Sequence, residues 1–309
     1  MPWPTKIAPM TRSGTYESPF TGATVADGWP AFQGAGAARD ARYSRVVRIW
    51  HQGFIELTTV PAYREALERH ARSVVGPGTV VEVHGVVPGT YAPGHTAADI
   101  ARSPYLMSLH VHQILDAARS AAAEGYDAMA IAILQDPGLR EARSLVDIPV
   151  AGYGESAMHT ACMLGRRFAV VLFNAELADL VEERIAENGL ASRATPSAIV
   201  DVDYGGVAEA FARPGRLVDA FTAAARRALA GGADVLIPGQ TFMAEVLWQN
   251  GVHRIDEAPV VDALGVTLKT AELLAALRRA SGVSTSRRGY WGTKADPDLV
   301  ERARRILGR

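Results

Sequence analysis

Residues 125–172 read GYDAMAIAILQDPGLREARSLVDIPVAGYGESAMHTACMLGRRFAVVL. An aspartate opens the apolar run AMAIAIL, which is short, uninterrupted and bounded by turn residues, and so predicts a buried strand. DPGLREARSL is a turn entering a helix, and PVAGYG predicts a second strand ending in glycines. ESAMHTACML predicts another helix and RRFAVVLF another strand. Apolar strands alternating with helices of this length predict a parallel sheet covered on both faces.

The same alternation extends outward. Upstream, RVVRIW from Arg45 reads as a short strand, PAYREALERHARSVV as an amphipathic helix and TVVEVHGVV as a strand. The loop VPGTYAPGHT and a long helix from about Ser103 to Glu124 follow. Downstream, AELADLVEERIAENGL is a helix closed by Gly189, AIVDVDY a strand, GRLVDAFTAAARRALAGG a helix, ADVLIPG a strand and APVVDALG another. EGYDAMAIAIL with DIPVAGYGESAMHTA repeats in outline as GGADVLIPG with EAPVVDALGVTLKTA: helix ending in glycine, aspartate, apolar strand, then a Pro-Val strand running into a helix. This predicts an internal duplication. The expected fold is α/β, with two pseudo-symmetric domains, each a mainly parallel four-stranded sheet flanked by helices, facing one another across a cleft. Expected boundaries are an irregular arm over 1–44, a first domain over 45–150, a second over 151–262, a helix over 263–280 packing back on the first, and a C-terminal extension over 281–309.

With 48% hydrophobic and 21% charged residues, the chain can bury a large core without metals or disulfides. Its 32 basic and 33 acidic residues are interspersed, leaving no basic stripe for a nucleic-acid backbone. The expected partner is a small molecule. The single cysteine, Cys162, permits no intramolecular disulfide and is consistent with a reducing compartment. The opening MPWPTKIAPMTRSG lacks a signal-peptide apolar stretch, and no run of about 18 apolar residues offers a membrane span. A cytoplasmic location, no membrane association and assembly into homo-oligomers are expected.

In open parallel sheets, ligands bind beyond the carboxyl ends of the strands. The residues predicted there are Trp50, His51 and Gln52; His84; Gln135 and Asp136; Glu155 and Ser156; Asn174; Asp203 and Tyr204; Gln240 and Thr241; and Asp262. Gly152 and Gly154 suit either close backbone approach to a ligand or plain strand-to-helix packing. The amides that open the helix around Glu155 and Ser156 favour an anion such as a carboxylate. His70, His95 and His253 read as surface or satisfied core residues. His110 and His112, two apart on a helix, point to nearly opposite faces and cannot readily share one ion. Cys162 reads as a small hydrophobe within a helix. There is no Ser-His-Asp order, phosphate-binding GxxxxGK[ST] loop or zinc signature.

The segment DAMAIAILQDPGLREARSLVDIPVAGYGESAMHTACMLGRRFAVV, with ADVLIPGQTFM and APVVDALG, resembles the hydantoin racemase branch of the aspartate/glutamate racemase superfamily over about residues 45–280. The resemblance implies two similar α/β domains with the active site between them. It also implies a mechanism in which two cysteines act on opposite faces of a carbon acid, one removing and one returning the proton. Aligned on DPG, the first cysteine position is Ile133; aligned on the glycine and methionine of GQTFM, the second is Gln240. Neither side chain exchanges a proton near neutral pH. The family's Asn-Pro-Asn-Thr run falls at Trp50, His51, Gln52 and Gly53.

The leading expectation is an enzyme on this scaffold acting on a small carboxylate or cyclic amide by racemisation, C–C or C–N cleavage, or hydrolysis. His51 or His84 would move the proton, with Asp136 or Glu155 as partner. Trp50, Gln52, Ile133, Gln135, Gly154, Ser156, Gln240 and Thr241 would line the site. No cofactor is expected, although a divalent metal on His51, His84 and a carboxylate is an open alternative. A ligand-binding protein that lost the thiol chemistry, or an assembly role for the N-terminal arm, are the other readings.

Overall fold

A computed structural model of the chain describes residues 45–308, together with Tyr16–Glu17 and Thr24–Val25, which form a short antiparallel ladder. The rest of the expected N-terminal arm lies outside the described residues. Strands β1 (Val47–Gln52), β2 (Thr79–His84), β3 (Ala128–Ile131) and β4 (Val150–Gly152) form one sheet. Strands β5 (Phe168–Leu172), β6 (Ala198–Ile199) and β7 (Val235–Pro238) form a second, and Arg254–Ile255 pairs with Ala258–Pro259 in a small hairpin. The helices are α1 (Pro61–Val74), α2 (Ala97–Ala101), α3 (Pro104–Ala123), α4 (Leu139–Leu145), α5 (Tyr153–Leu164), α6 (Ala178–Glu187), α7 (Tyr204–Glu209), α8 (Gly215–Ala230), α9 (Thr241–Gln249), α10 (Ala263–Ser281) and α11 (Pro297–Ile306).

The first sheet runs β2-β1-β3-β4 and the second β6-β5-β7, every pairing parallel. A parallel bridge from Leu236 to Val260 stands where a fourth strand of the second sheet would lie. The two sheets therefore share one strand order, as the internal duplication predicts. The second differs in reducing its fourth strand to a single bridge. β4 joins the first sheet as far as Gly152, two residues past the expected boundary at 150.

Alternation sets the layers. In β1, Ile49 faces the main core, which runs through both sheets and includes Phe168, Leu217, Phe221 and Leu236, while Trp50 faces a second cluster with Ile114, Met129, Ile131 and Val150. β3, β5 and β7 are buried throughout, which explains their uninterrupted apolar character. Fully burying a side chain such as Phe221 or Leu217 contributes about 1.5–3 kcal/mol. α10 starts at Asp262, whose carboxylate accepts from the amide of Gly265, and ends at Gly282 in the left-handed region. It lies against β1, β3 and β4 and against α1 and α5. Ion pairs of α11 with α3, Arg304 to Asp116 and Glu301 to Arg119, hold the C-terminal helix. Among the described residues no helix is long and apolar enough to cross a membrane.

The third strand is shorter than its apolar run: β3 stops at Ile131, and Ala132–Gln135 leave the sheet. Asp136 then turns the chain with φ +47°, its amide donating to the Ile133 carbonyl. That early departure brings Ile133 and its neighbours to the end of the sheet.

Candidate active site

A pocket with about 590 Å³ of empty space, its open mouth included, lies at the carboxyl ends of the central strands of both sheets. Phe54 and Ile55 follow β1, Ala132–Gln135 follow β3, Phe173 and Asn174 follow β5, and Gly239 and Gln240 follow β7. Tyr63 of α1, three alanines of α2, Tyr204 at the start of α7, and Thr241 and Phe242 at the start of α9 complete the wall together with Leu177. The side-chain hydroxyl of Thr241 donates to the Ala132 carbonyl at 2.8 Å, tying the second sheet's helix to the tip of β3. The Tyr153 hydroxyl donates to the Pro238 carbonyl at 2.9 Å.

Gln240 is half committed. Its Oε1 accepts from the Phe173 amide at 3.2 Å, while its Nε2 is buried with no partner. The other polar groups are the amides of Gln135 and Asn174 and the phenols of Tyr63 and Tyr204. Burial raises both phenols above the usual tyrosine range, so they remain protonated donors at neutral pH. The described lining contains no Lys, Arg, His, Asp, Glu or Cys. The pocket is therefore electrically neutral, apolar on most sides, and furnished with amide and hydroxyl groups.

Four expected site residues meet here: Ile133, Gln135, Gln240 and Thr241. Asn174 and Tyr204, read as strand-tip residues, meet here too. The expected proton-transfer residues do not line this pocket. β1 and β2 stay in register through Gln52 opposite His84, so the strand tip is Gly53, not Trp50. Trp50, Gln52 and His84 consequently line a separate groove with Glu82 and Val83. His84 stacks on Trp50 at 3.6 Å, and Trp50 Nε1 donates to Gln52 Oε1 at 3.0 Å. Gln52 Nε2 in turn donates to the Gly53 and Gly85 carbonyls. His51 points to the opposite face, 1% exposed, with both ring nitrogens unpartnered. Burial first, and then His84, push its imidazole down to about 4, so it is neutral. Burial likewise lowers His84.

The expected carboxylate partners are committed elsewhere. Asp136 accepts from the amides of Gly154 at 2.9 Å and Glu155 at 2.7 Å, the first turn of α5. Burial pushes its carboxyl up to about 7, against the pull of those two amides. The anion favoured by that helix end is thus the chain's own Asp136 side chain, and the two glycines serve packing: a Cβ on Gly154 would lie 2.2 Å from the Leu134 carbonyl oxygen. Burial would raise Glu155, but Arg143, bonded to both its oxygens at 2.9 and 2.7 Å, outweighs that and holds it below the usual range. The Ser156 hydroxyl is buried without a partner. Neither carboxylate meets His51 or His84, and no group of three His, Cys, Asp or Glu side chains among the described residues is placed to hold a metal ion. Cys162, on α5, is half-buried against the main core and is absent from the pocket lining.

Phe54, Ile55, Tyr63 and the α2 alanines escaped the sequence reading. Apolar residues at a strand exit, or on the inner face of an amphipathic helix, carry no signature separating a pocket wall from a core. The available signal was the length of VRIWHQ: carrying the strand through Gln52 places Phe54 and Ile55 beyond its end.

A sequence model of the Asp/Glu/Hydantoin racemase family matches residues 53–271. A hydantoin racemase of Pseudomonas sp. (strain NS671) is 27% identical over 172 residues, 54% of this chain and 65% of that protein. The chain thus matches just under two thirds of that relative's length. A hydantoin racemase of Rhizobium meliloti is 26% identical over 167 residues, covering 54% and 68% of the two chains. Among solved structures, an allantoin racemase from Klebsiella pneumoniae superposes with a TM-score of 0.65 at 25% identity, over 81% of this chain and 94% of that one. One from Pseudomonas fluorescens, at 23% identity and a TM-score of 0.63, shares the fold over 81% and 98%. The family match covers more than half of its length, and the chain belongs to the Asp/Glu/hydantoin racemase family.

Proposed function

We propose that the chain is an enzyme that acts on a small neutral cyclic amide in this pocket, with chemistry carried by amide and hydroxyl donors and not by thiols or histidines. The observation that carries the reading is the uncharged lining with the unpartnered Nε2 of Gln240. A buried donor without a partner is costly unless a ligand supplies the acceptor. A cyclic amide offers carbonyl acceptors and N–H donors for Gln240, Gln135, Asn174 and Tyr204, and an apolar ring face for Phe54, Ile133 and Phe242. A carboxylate would find no cationic side chain among the lining residues. With a ligand carbonyl held by Gln240 or Tyr204, negative charge growing on its oxygen is stabilised by fixed donors as the adjacent C–H passes its proton to water. The activities named for the hydantoin and allantoin racemases that resemble this chain support the substrate class.

Binding without conversion is the second reading, and one observation favours it: no described side chain lining the pocket is a carboxylate, imidazole or thiol. Thermal unfolding and deuterium incorporation at the ring carbon in D2O, each with a 5-substituted hydantoin, allantoin and succinate, distinguish the cases. The cyclic amides should raise Tm, by the equivalent of about 2.7 kcal/mol at a hundredfold excess over Kd, and exchange should persist in Cys162→Ser. Stabilisation without exchange selects the second reading. Stabilisation by succinate alone, or loss of exchange in a stably folded Cys162→Ser, refutes the proposal.

A further inference from the structure

Behind the pocket lies a charged cluster that the proposed chemistry does not use. His70 on α1 is 1% exposed and Glu245 on α9 is 0% exposed; Asp262 caps α10. His70 Nδ1 is 2.5 Å from Glu245 Oε1, and its Nε2 is 2.9 Å from Asp262 Oδ2. The Trp248 ring stacks on the imidazole at 3.8 Å. Ionised carboxylate oxygens only accept hydrogen bonds, so an imidazole set between two of them donates from both nitrogens and carries a positive charge.

The spacing links this cluster to the pocket. His70 lies seven residues, two helical turns, after Tyr63 on the same buried face of α1, and Glu245 follows Phe242 by three on α9. The Tyr63 and Phe242 rings meet edge to face at 4.7 Å in the pocket wall. α1 and α9 are therefore joined twice: by aromatic rings at the pocket and by an ion pair further along.

The geometry points to His70 as a positioning residue: bridged to Glu245 and Asp262, it locks α1 against α9 and α10 and so fixes the Tyr63–Phe242 wall and the ligand affinity that depends on it. Loss of its proton removes one donor and leaves the buried Glu245 carboxylate and the partly exposed Asp262 carboxylate facing each other across a neutral ring, which favours separation of the helices. The titratable and charged groups facing the cluster are Tyr63 and Arg69 on α1, Glu245 on α9, Asp262 on α10 and Tyr153 on α5. Burial raises both tyrosines well above their usual range, so they stay neutral throughout the test. Burial alone would lower the His70 imidazole, but its bonds to Asp262 and Glu245 outweigh that and raise it to about 9.

The consequence for affinity rests on the cyclic-amide reading; the consequence for the wall does not. The test follows the His70 ring nitrogens and the Tyr63 and Phe242 ring signals by NMR from pH 6 to 10 in the full chain, and repeats the titration in Glu245→Gln, with Asp262→Asn as a second variant should the first fail to fold. All three residues should change with one midpoint near 9, and the variant should move the His70 and ring midpoints down together. Affinity for a 5-substituted hydantoin should fall at least tenfold across that transition beyond the change that ionisation of the ligand's own imide N–H produces, and only that ligand contribution should remain in His70→Asn. Ring signals that stay flat while His70 titrates, or that keep their midpoint when the variant shifts His70, overturn the inference. Normal ring coupling with no hydantoin binding at any pH overturns the ligand assignment alone.

Discussion

Replacing Gly154 by alanine places a methyl carbon 2.2 Å from the Leu134 carbonyl oxygen and 3.0 Å from Asp136 Oδ2. Neither neighbour is free to move. Leu134 belongs to the pocket wall, and Asp136 is held by the Gly154 and Glu155 amides at 2.9 and 2.7 Å. Restoring an ordinary carbon–oxygen separation needs a shift of about 1 Å, which would lengthen both amide bonds beyond hydrogen-bonding range. Above pH 7, where Asp136 is ionised, each such bond contributes about 1.5–3 kcal/mol, against a gain of about 1 kcal/mol for alanine over glycine within a helix. The expected net loss at pH 8 is about 2–5 kcal/mol, measured as a lower urea midpoint at unchanged slope. Gly215, at the start of α8 with nothing within 4 Å of its hypothetical Cβ, is the control: alanine there should be neutral or stabilise by up to about 1 kcal/mol. A Gly154→Ala protein within about 1 kcal/mol of wild type would refute the argument that packing, not ligand approach, requires this glycine.

His51→Leu should stabilise the fold by about 1–3 kcal/mol in chemical denaturation, because it removes two buried ring nitrogens without partners; a destabilised, well-folded variant would show that they are satisfied in solution. Three buried groups set the pH dependence of stability. The His51 imidazole, lowered to about 4, stays neutral in the fold while the unfolded chain gains a proton below about 6.5, so its contribution falls as pH drops from 6.5 towards 4. His70, raised to about 9, keeps its proton when the unfolded chain has lost it, so its contribution is complete below 6.5 and is lost as pH rises through 9. Asp136, raised to about 7, keeps its proton in the fold while the unfolded chain loses it above about 3.8, so its contribution is complete at low pH and is lost as pH rises through 7, opposing the His51 limb. The His51 and His70 limbs are each on the order of 3 kcal/mol and the Asp136 limb on the order of 4 kcal/mol. Denaturation midpoints at pH 5, 6.5 and 9.5 measure the net curve, which should stay nearly level from 5 to 6.5 and fall by 9.5; in His51→Leu stability should instead fall from pH 5 to 6.5, with the alkaline fall unchanged.

The fold was legible because its signal is redundant. Each central strand is a short apolar run between turn residues, and the repeated aspartate, apolar strand and Pro-Val strand carries the strand order of one sheet onto the other. The site was legible where it depends on the end of a strand: Ile133, Gln135, Asn174, Tyr204, Gln240 and Thr241 stand in the pocket because β3, β5, β7 and the run around Ile199 end just before them. It was misread around Trp50, His51 and His84, because polar residues at the end of an apolar run look like loop residues whether or not the backbone continues pairing. Here it continues to Gln52, and period two then sends Trp50 and His51 to opposite faces. The commitments of Asp136 to α5 and of Glu155 to Arg143 depend on loop geometry and a helix-to-helix approach that residue order does not encode. His70, expected to be either a surface or a satisfied core residue, is the latter, and its carboxylate partners lie 175 and 192 residues away and have no local signature.

The absence of charge around the pocket has a kinetic consequence. A cleft lined by one sign of charge draws in ligands of the other sign, raising their arrival rate in a manner that salt suppresses. The described walls here offer no such local field, so arrival should be governed by ordinary diffusion and by access past the α2 alanines, with little sensitivity to ionic strength at the pocket itself. Small molecules of similar size would then enter at similar rates. Discrimination among them would reside almost wholly in residence time, set by how many of the fixed amide and phenol groups each one satisfies before it leaves.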